Sequence, residues 1–376
     1  MKLSCERDLL LEIINTVQKA IRPKMSLPIL DHIKIDASGN GDITFTGNCV
    51  EICIEYNSRC NVSEGGSIAL ESRMFGDIIR KLPDGICTIS VNEENFVTKI
   101  KCGASEFNIQ GISSNTFPDA PQIEERYSYT LTQSALKRLI RNTISFIAVS
   151  EGKKPIQTGE LFEIKNGYLH VVASDGHRLA MVKEKIREDI ENKKVVIPGQ
   201  TLREMLKILK DEDTEVKVTV SERHVLFDFG DFKLFTRILE GEFLRYEAII
   251  SAVNTINVSV DKRGIMDCLE RALLLINDDD KKPDNRVPVR FSIAYDRVDI
   301  SCMTGKGQVS DNVPAKIEGG NLLIGFNCRF MLDALSVCDE DTVKLEFSAP
   351  TSGCFIRPAD GSNSYIYMVL PVRLYN

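Results

Sequence analysis

The chain has 376 residues, of which 43% are hydrophobic and 27% charged, and its net charge at pH 7 is −7. This balance excludes wholesale disorder and is typical of a folded chain of roughly two to four domains. The aromatic content of 7%, with no Trp, argues against a protein that binds single-stranded nucleic acid mainly by stacking. The acidic net charge argues against any nucleic acid partner unless the charge is segregated.

The N-terminal segment predicts a cytoplasmic protein without a membrane partner. Glu6, Arg7, Asp8 and Glu12 interrupt its apolar stretch, which breaks the core that a signal peptide needs. No uncharged apolar run reaches the ~18 residues of a membrane-spanning helix. The 11 cysteines form no C-x-x-C pair, and the four histidines do not lie near them at zinc-site spacing. We therefore expect reduced, buried cysteines, no metal site and no cofactor.

The first predicted elements in chain order recur as a repeat. A short alternating strand, a polar residue and an apolar stripe at helical spacing occur three times. The polar residues are Glu6, Thr132 and Asp261, which lie 126 and 129 residues apart. The pattern predicts helical segments at residues 6–24, 132–150 and 261–276.

A second predicted helix follows in each copy with the same period. Apolar residues recur at the same offsets in ESRMFGDIIRKL (71–82), PGQTLREMLKIL (198–209) and FNCRFMLDALSV (326–337), which start 127 and 128 residues apart. Two helical registers that share one period indicate a repeated domain, because solenoid units are shorter, at about 20–45 residues.

Predicted hairpins fill the chain between these helices. IKIDASGNGDITFTG is typical of strand, turn and strand, LFEIKNGYLHVVASDG contains the hairpin signal Asn166-Gly167, and VRFSIAYDRVDISCM follows the same scheme. More alternating runs follow each second helix. The sequence therefore predicts an α+β protein of three repeated domains, at residues 1–125, 126–253 and 254–376.

Charge is segregated between the predicted helices and the rest of the chain. The six helical segments sum to +7, which leaves −14 for the remainder. Ordinary solvated faces would explain any one basic helix. Six such helices on one surface would instead form a positive face that binds phosphates without reading bases.

No catalytic or nucleotide-binding motif stands out. The chain has no G-x-x-x-x-G-K-[ST], H-E-x-x-H or G-x-S-x-G pattern. Ser174, Asp175 and His177 in ASDGHRLA could suggest a hydrolase, but neighbouring residues at one strand end point in different directions and cannot form a relay. We expect a turn, in which Asp175 binds nearby backbone and Gly176 has a positive φ.

In the order of its motifs, the chain resembles the bacterial sliding clamps, the β subunits of DNA polymerase III. The motifs are SLPIL (26–30), TFPDAP (116–121), TGELFE (158–163), VVASDGHRLA (171–180), VVIPG (195–199), EGEF..Y (240–246), IGFN (324–327) and LPVRL (370–374). The resemblance covers the whole length. It implies clamp domains with two inner helices and outer antiparallel sheets, which form half of a six-domain ring.

The resemblance also implies the partners and the role. The chain would be a head-to-tail homodimer that encircles double-stranded DNA without sequence preference and performs no chemistry. It would tether the catalytic subunit of DNA polymerase III, the clamp loader and other proteins with a clamp-binding motif, through a peptide pocket between the second and third domains. The pocket residues implied are Ser174, Gly176, His177, Arg178, Leu179, Leu244, Ile249, Asn327, Phe330, Met368, Val369, Leu370, Pro371, Val372 and Arg373. We expect an apolar groove with His177, Arg178 and Arg373 on its rim.

Two further surfaces are expected. The basic helices predict a DNA-facing set of Lys24, Arg80, Lys137, Arg141, Arg203 and Lys207. For ring closure, the resemblance pairs an edge strand that carries Phe107 and Ile109 with a helix end that carries Leu274 and Leu275. From the residues alone, these four could equally belong to the core.

Four positions depart from the family pattern. Gln157 stands where an apolar residue often lines the pocket, Leu244 where Pro is common, and Ala248 where a basic residue can occur. Gln200 replaces a frequent lysine on the DNA face. These differences bear on the peptide preference and on one DNA contact.

These sequence patterns leave three alternative functions. The first is a non-catalytic platform that encircles DNA, which the resemblance favours. The second is an enzyme that uses Asp175 and His177, and the third is a scaffold for proteins alone, in which the basic helices are incidental. Retention on closed circular DNA that is lost on linearisation separates the first from the other two.

Overall fold

The computed structural model describes residues 1–22, 27–149, 154–276 and 287–374, and the predicted order of elements occurs in it three times. The first copy contains α1 (Arg7–Val17), α2 (Ser72–Lys81), β1 (Lys2–Glu6), β2 (His32–Ala37), β3 (Asp42–Asn48), β4 (Ile52–Arg59), β5 (Asn61–Glu64), β6 (Gly66–Glu71), β7 (Ile86–Val91), β8 (Val97–Cys102) and β9 (Ser105–Gln110).

The second and third copies repeat this order. The second contains α3 (Gln133–Arg141), α4 (Gly199–Leu206), the short α5 (Tyr246–Ile250), β10 (Tyr127–Thr132), β11 (Gly159–Lys165), β12 (Tyr168–Ser174), β13 (Arg178–Lys185), β14 (Lys193–Pro198), β15 (Glu215–Val220), β16 (His224–Asp228) and β17 (Phe232–Arg237). The third contains α6 (Lys262–Leu273), α7 (Cys328–Ser336), β18 (Ile256–Asp261), β19 (Val289–Ala294), β20 (Arg297–Thr304), β21 (Gly307–Glu318), β22 (Leu322–Phe326), β23 (Thr342–Phe347), β24 (Cys354–Pro358) and β25 (Tyr365–Val369).

Unit 1 comprises residues Met1–Lys137 and Gln200–Ile238 and contains two antiparallel sheets. Their strand orders are β5-β1-β7-β8-β9 and β10-β15-β16-β17-β4-β3-β2-β6. In the second sheet, β17 of the second copy pairs with β4 of the first, with Phe232 opposite Tyr56. We call this pairing the first junction, because main-chain hydrogen bonds there join two copies of the repeat.

Unit 2 comprises residues Arg138–Gly199 and Leu239–Asn376 and contains a sheet of strand order β14-β11-β12-β13-β25-β24-β23-β18-β21-β20-β19-β22. The second junction lies in this sheet, where β13 pairs with β25 and Arg178 lies opposite Val369. The long β21 pairs with β20 through residues 307–314 and with β18 through its last four residues.

The helices pack by their apolar stripes while their basic residues stay outside. In α3, Leu136, Leu139 and Ile140 are buried, whereas Lys137 and Arg141 are not. In the first copy α1 packs against α2, β3 and β4, and in the third α6 packs against α7 and β21.

The approach of α1 to β3 is close enough to require glycine. A Cβ atom on Gly47 would lie only 2.3 Å from the carbonyl oxygen of Val17, at the end of α1. Any side chain at this position would push the helix off the sheet.

Two helices end earlier than the apolar pattern predicts. The segment 132–150 is helical only to Arg141, because the hydroxyl of Thr143 donates to the carbonyl of Leu139 at 2.8 Å and a 3-10 turn follows at Ile144–Phe146. Likewise, α1 stops at Val17 and passes into a 3-10 turn at Gln18–Ala20.

Other local predictions are confirmed. Asn166 and Gly167 have φ values of 53° and 75°, as the turn of a two-residue hairpin requires. All eleven cysteines are free and all but Cys60 are buried. Burial raises the pKa of Cys5, Cys328 and Cys338 to about 12, so these thiols stay protonated at neutral pH. None of the helices in the described ranges is long and apolar enough to cross a membrane.

Candidate functional sites

The turn between β12 and β13 has the predicted conformation. One carboxylate oxygen of Asp175 accepts from the backbone N–H groups of His177 and Arg178 at 2.8 and 3.0 Å. Gly176 has a φ of 87°, and a Cβ there would meet only the side-chain amide of Gln157, at 4.0 Å. Asp175 is therefore used by the turn, and the hydrolase interpretation of ASDGHRLA is wrong.

Arg178 is buried below this turn, so its expected position on the rim of the groove is wrong. Its side chain donates to Asp175, to Asp333 at the helix α7 and to the carbonyl oxygen of Ser145. Only 8% of the residue is exposed. A buried charge is tolerated when it is paired and hydrogen-bonded, and each of the three guanidinium nitrogens of Arg178 donates a hydrogen bond.

Two aromatic rings complete the surroundings of Arg178. The guanidinium carbon lies 4.3 Å from the ring centre of Phe330 and 5.2 Å from that of Phe146. Phe330 also stacks on His177, with 6.3 Å between ring centres. Arg178 thus connects the turn, α7 and the 3-10 turn after α3.

Four of the predicted pocket residues belong to one apolar cluster in unit 2. Leu179 and Met368 are buried in it, and Leu244 and Ile249 pack against it from the partly exposed side. The further members are Ile156, Leu161, Val172, Met181, Val196, Tyr246, Phe355 and Ile366, with Leu239, Phe243 and Ile250 at the margin. The resemblance therefore named four residues that do lie together.

The C-terminal segment forms one side of this region. The N–H of Leu370 donates to the carbonyl of His177 at 2.9 Å, and that of Val372 donates to Gly325 at 2.8 Å. Leu374 packs so close to Gly325 that a Cβ on this glycine would lie 2.6 Å from its Cδ2 atom. Leu370 and Arg373 are exposed, whereas Val369 is fully buried. Pro371 and Val372 are half-buried.

Two other predicted pocket residues make local hydrogen bonds. Asn327 caps α7, because its side-chain oxygen accepts from the N–H groups of Arg329 and Phe330 at 3.0 and 3.3 Å. The Ser174 hydroxyl donates to the carbonyl of Arg178 at 2.9 Å and so closes the turn. Both residues therefore fix the backbone next to the predicted groove.

The sequence analysis missed the residues that hold α5 in place. The hydroxyl of Tyr246 donates to Glu163 on β11 at 2.5 Å, and Arg357 donates to the carbonyl of Ile250 at 3.0 Å. Burial, and then the Glu163 carboxylate, raises the pKa of Tyr246. No sequence pattern links these positions, since the partners are 83 and 107 residues apart.

The predicted DNA-facing residues of unit 1 lie on α2, α3 and α4 or directly after α4. Most have an acidic partner: Arg80 with Asp77 at 2.7 Å, Lys137 with Asp211 at 2.6 Å and Lys207 with Glu204 at 2.8 Å. Arg203 is exposed.

In unit 2, Arg141 lies 3.4 Å from Asp339. Lys24 lies outside the described residues. Exposed ion pairs are worth only about 0–1 kcal/mol, so a phosphate can replace the carboxylate.

The four expected dimer residues are not core residues. Phe107 and Ile109 lie on β9, the edge strand of the five-stranded sheet, and Phe107 is 40% exposed. Leu274 follows α6 directly and is 75% exposed, while Leu275 is half-buried. Exposed apolar side chains at a strand edge and at a helix end are typical of a protein contact surface.

The comparisons agree with this architecture over the whole chain. Models of the DNA polymerase III beta subunit match with the N-terminal domain at residues 1–121, the central domain at 130–244 and the C-terminal domain at 248–373. A beta sliding clamp of Staphylococcus aureus is 34% identical over 385 aligned residues, which cover 100% of both chains.

Solved structures are also similar over the whole chain. The DNA polymerase sliding clamp of Bacillus subtilis has a TM-score of 0.92 and 32% identity, and the beta subunit from DNA polymerase of Streptococcus pyogenes has a TM-score of 0.92 and 25% identity. Each alignment covers 100% of both chains.

The repeat thus defines a protein of three clamp domains, with antiparallel sheets and a few helices. The chain belongs to the family of DNA polymerase III beta subunits, the bacterial sliding clamps. As a member of this family it is a processivity factor and not an enzyme.

The buried position of Arg178 leads to a first prediction. Arg178→Met keeps an apolar stem between the two rings but removes the buried ion pairs with Asp175 and Asp333. The expected loss in the free energy of unfolding is about 3–5 kcal/mol, measured by denaturant titration. Arg373→Met removes the same charge from an exposed position and should change stability little. Equal midpoints for the two variants would contradict the supporting role of Arg178.

Proposed function

We propose that two copies of this chain close head-to-tail into a ring that encircles duplex DNA in the cytoplasm. The ring holds the replicative polymerase, the clamp loader and other partners at the DNA through short peptides that dock in the groove of unit 2. The proposal keeps the domain limits near residues 125 and 253. It rests on one observation above all, the pattern of strand pairing between copies of the repeat.

Equivalent strands make equivalent junctions. The first junction pairs β4, the third strand after the first helix of its copy, with β17, the last strand of the next copy. The second junction pairs the corresponding strands β13 and β25. The two strands that continue this series are β21, in the third copy, and β9, in the first.

Both of these strands have an edge without a strand partner in the described part of the chain. β9 ends its sheet with β8 as its neighbour, and residues 307–314 of β21 pair with β20 on one side. Free edges favour pairing with another chain. Each chain has one edge of each kind. Two chains can therefore pair β9 of one with β21 of the other twice and so close a ring.

Apolar side chains accompany both edges. Phe107 and Ile109 lie on β9, and Leu275 lies beside β21, with its Cδ2 atom 3.9 Å from the place of a Cβ on Gly307. Burial of these side chains at a third junction would add hydrophobic free energy to the main-chain hydrogen bonds.

Encirclement gives the first experiment on function. The ring is loaded by a clamp loader onto nicked circular duplex DNA, and the bound fraction is followed by gel filtration before and after linearisation. We expect retention on circles and loss from linear DNA, because a ring can slide off a free end. Equal retention on both forms would contradict the proposal.

The inner-face assignment is tested in the same assay. Arg141→Glu with Arg203→Glu should shorten retention and make it less dependent on salt concentration, because phosphate contacts are lost without unfolding and fewer counterions are released on binding. The control exchanges two exposed cations on strands, Arg59→Glu with Lys217→Glu, for the same change in net charge. An equal effect of the two double variants would show that net charge alone matters.

Assembly gives a second prediction. Ile109→Asp with Leu274→Asp should convert the dimer to monomers in sedimentation, with native circular dichroism, because unpaired charge at the contact costs several kcal/mol. Val149→Asp with Val253→Asp changes two apolar residues that are also exposed and should leave the dimer intact. A stable dimer of the first variant would contradict the pairing of β9 with β21.

The groove gives a third prediction. Deletion of residues 371–376 removes Val372 and Leu374, which contact Gly325. A labelled peptide with one Gln and two Leu or Phe anchors should bind the intact clamp at micromolar concentration, since each buried anchor contributes about 1.5–3 kcal/mol. The truncated clamp should bind it much more weakly in a fluorescence anisotropy titration while keeping its retention on circular DNA. Equal affinity would contradict this position of the groove.

A further inference from the structure

A second pocket lies in unit 1, on the helix side of the first junction. Its volume is about 400 Å³, and it is bounded by α1, by the segment after α4 and by the hairpin of β16 and β17. Three aromatic residues and three lysines line it: Tyr56, Phe229, Phe232, Lys19, Lys207 and Lys210. This combination is unusual in a chain with 7% aromatic residues and no Trp.

The aromatic rings form a continuous stack. Phe229 and Phe232 are 4.3 Å apart between ring centres with an interplanar angle of 14°, and Phe232 stacks on Tyr56 at 5.8 Å and 19°. Among the described residues, Phe229 is the end ring of the stack. Phe229 and Phe232 are half-buried, so part of their surface remains accessible.

The hairpin that carries these rings is fixed to its neighbour. The N–H of Phe229 donates to the carbonyl of Phe232 at 3.0 Å, Gly230 has a φ of 91°, and the N–H of Asn57 on β4 donates to the carbonyl of Asp231 at 2.9 Å. The stack is therefore held in place before any ligand binds, which lowers the entropic cost of binding.

Charged groups of both signs line the pocket. Lys207 and Lys210 are about half exposed and pair with Glu204 at 2.8 Å and Glu12 at 3.6 Å, partners that a phosphate can replace. Glu12 and Asp231 also line the pocket, so a free anion inside it would be repelled. An uncharged aromatic group inside the pocket would avoid this repulsion. A phosphate attached to that group could then contact the lysines.

The pocket is continuous with the predicted DNA-facing surface. Lys207 belongs to both, and Arg80 donates to the side chain of Asn15 in the pocket wall at 3.3 Å. Lys137 pairs with Asp211, the residue next to Lys210. A nucleic acid held by these cations would therefore pass the opening of the pocket.

We propose that this pocket binds an unpaired base of single-stranded DNA, which stacks on Phe229 while neighbouring phosphates contact Lys19, Lys207 and Lys210. The proposal extends the proposed function, since it rests on DNA lying along the basic helices. Duplex DNA does not fit the pocket, because the faces of its paired bases are covered by their neighbours. Stacking on aromatic side chains with a basic groove for the backbone is the common mode of single-strand binding.

The experiment measures binding of a labelled oligothymidylate to the full dimeric clamp by fluorescence anisotropy. Phe229→Ala should weaken binding about tenfold, the loss typical for one stacked base, while Phe229→Tyr should keep it. Phe96→Ala removes another half-buried phenyl ring of unit 1 that does not line the pocket, and it should have no effect. Binding of a linear duplex of the same length should not change in any of these variants.

Cross-linking tests the same contact without a variant. An oligonucleotide with 5-iododeoxyuridine is irradiated with the wild-type clamp, and the cross-linked peptide is identified by mass spectrometry. We expect it to contain Phe229, Phe232 or Tyr56. Excess thymidine monophosphate should compete poorly, because a free nucleotide lacks the neighbouring phosphates that the lysines contact.

Each outcome decides the proposal. Unchanged single-strand affinity of Phe229→Ala, an equal loss for duplex, or cross-links only outside the pocket would overturn it. Efficient competition by thymidine monophosphate would contradict the proposal that the ligand is a DNA strand. Failure of the proposed function is distinguishable, because it appears as loss of topological retention on circular DNA by the wild-type clamp.

Discussion

The edges of antiparallel strands must find hydrogen-bond partners, and the organisation of this chain depends on that constraint. At the first junction β17 covers the edge of β4, and at the second β25 covers the edge of β13. The last strand of each later copy thus protects the third strand of the copy before it. In the described part of the chain the repeat leaves one unprotected edge at each end of the series, and these are the two edges that the proposed dimer would cover.

The second constraint is electrostatic and lies below the peptide groove. Arg178 is bound by Asp175, Asp333 and the Ser145 carbonyl and lies between two aromatic rings. It therefore fixes the turn at Gly176 relative to α7, so that Leu179 and Met368 form a floor whose shape exists before a peptide arrives. In the proposed function, such a preformed groove would lower the ordering cost of binding a short peptide.

Short sequence motifs were sufficient to predict the turns that need a residue with positive φ. Asn166-Gly167 marked its hairpin, and Asp175-Gly176 marked the turn at the groove, because both require a positive φ. The end of α3 was missed, since a hydroxyl-to-backbone bond from Thr143 overrides the apolar stripe. The resemblance led to Arg178 but not to its burial, because Asp333 lies 155 residues further on and the Ser145 carbonyl is available only where the helix has ended.

Comparison of the two junctions explains why the proposed peptide groove lies at the second junction and not at the first. The N–H of Arg237 donates to Glu51 at 3.2 Å, as that of Leu370 donates to His177 at 2.9 Å, so the scaffolds correspond. At the place of Gly176 the first junction has Val50, with a φ of 73° and a side chain that is 48% exposed. Val50 lines a cavity of only about 160 Å³ there. A β-branched side chain at positive φ costs about 1–3 kcal/mol and occupies the space through which a peptide backbone would approach, whereas Gly176 leaves that space open.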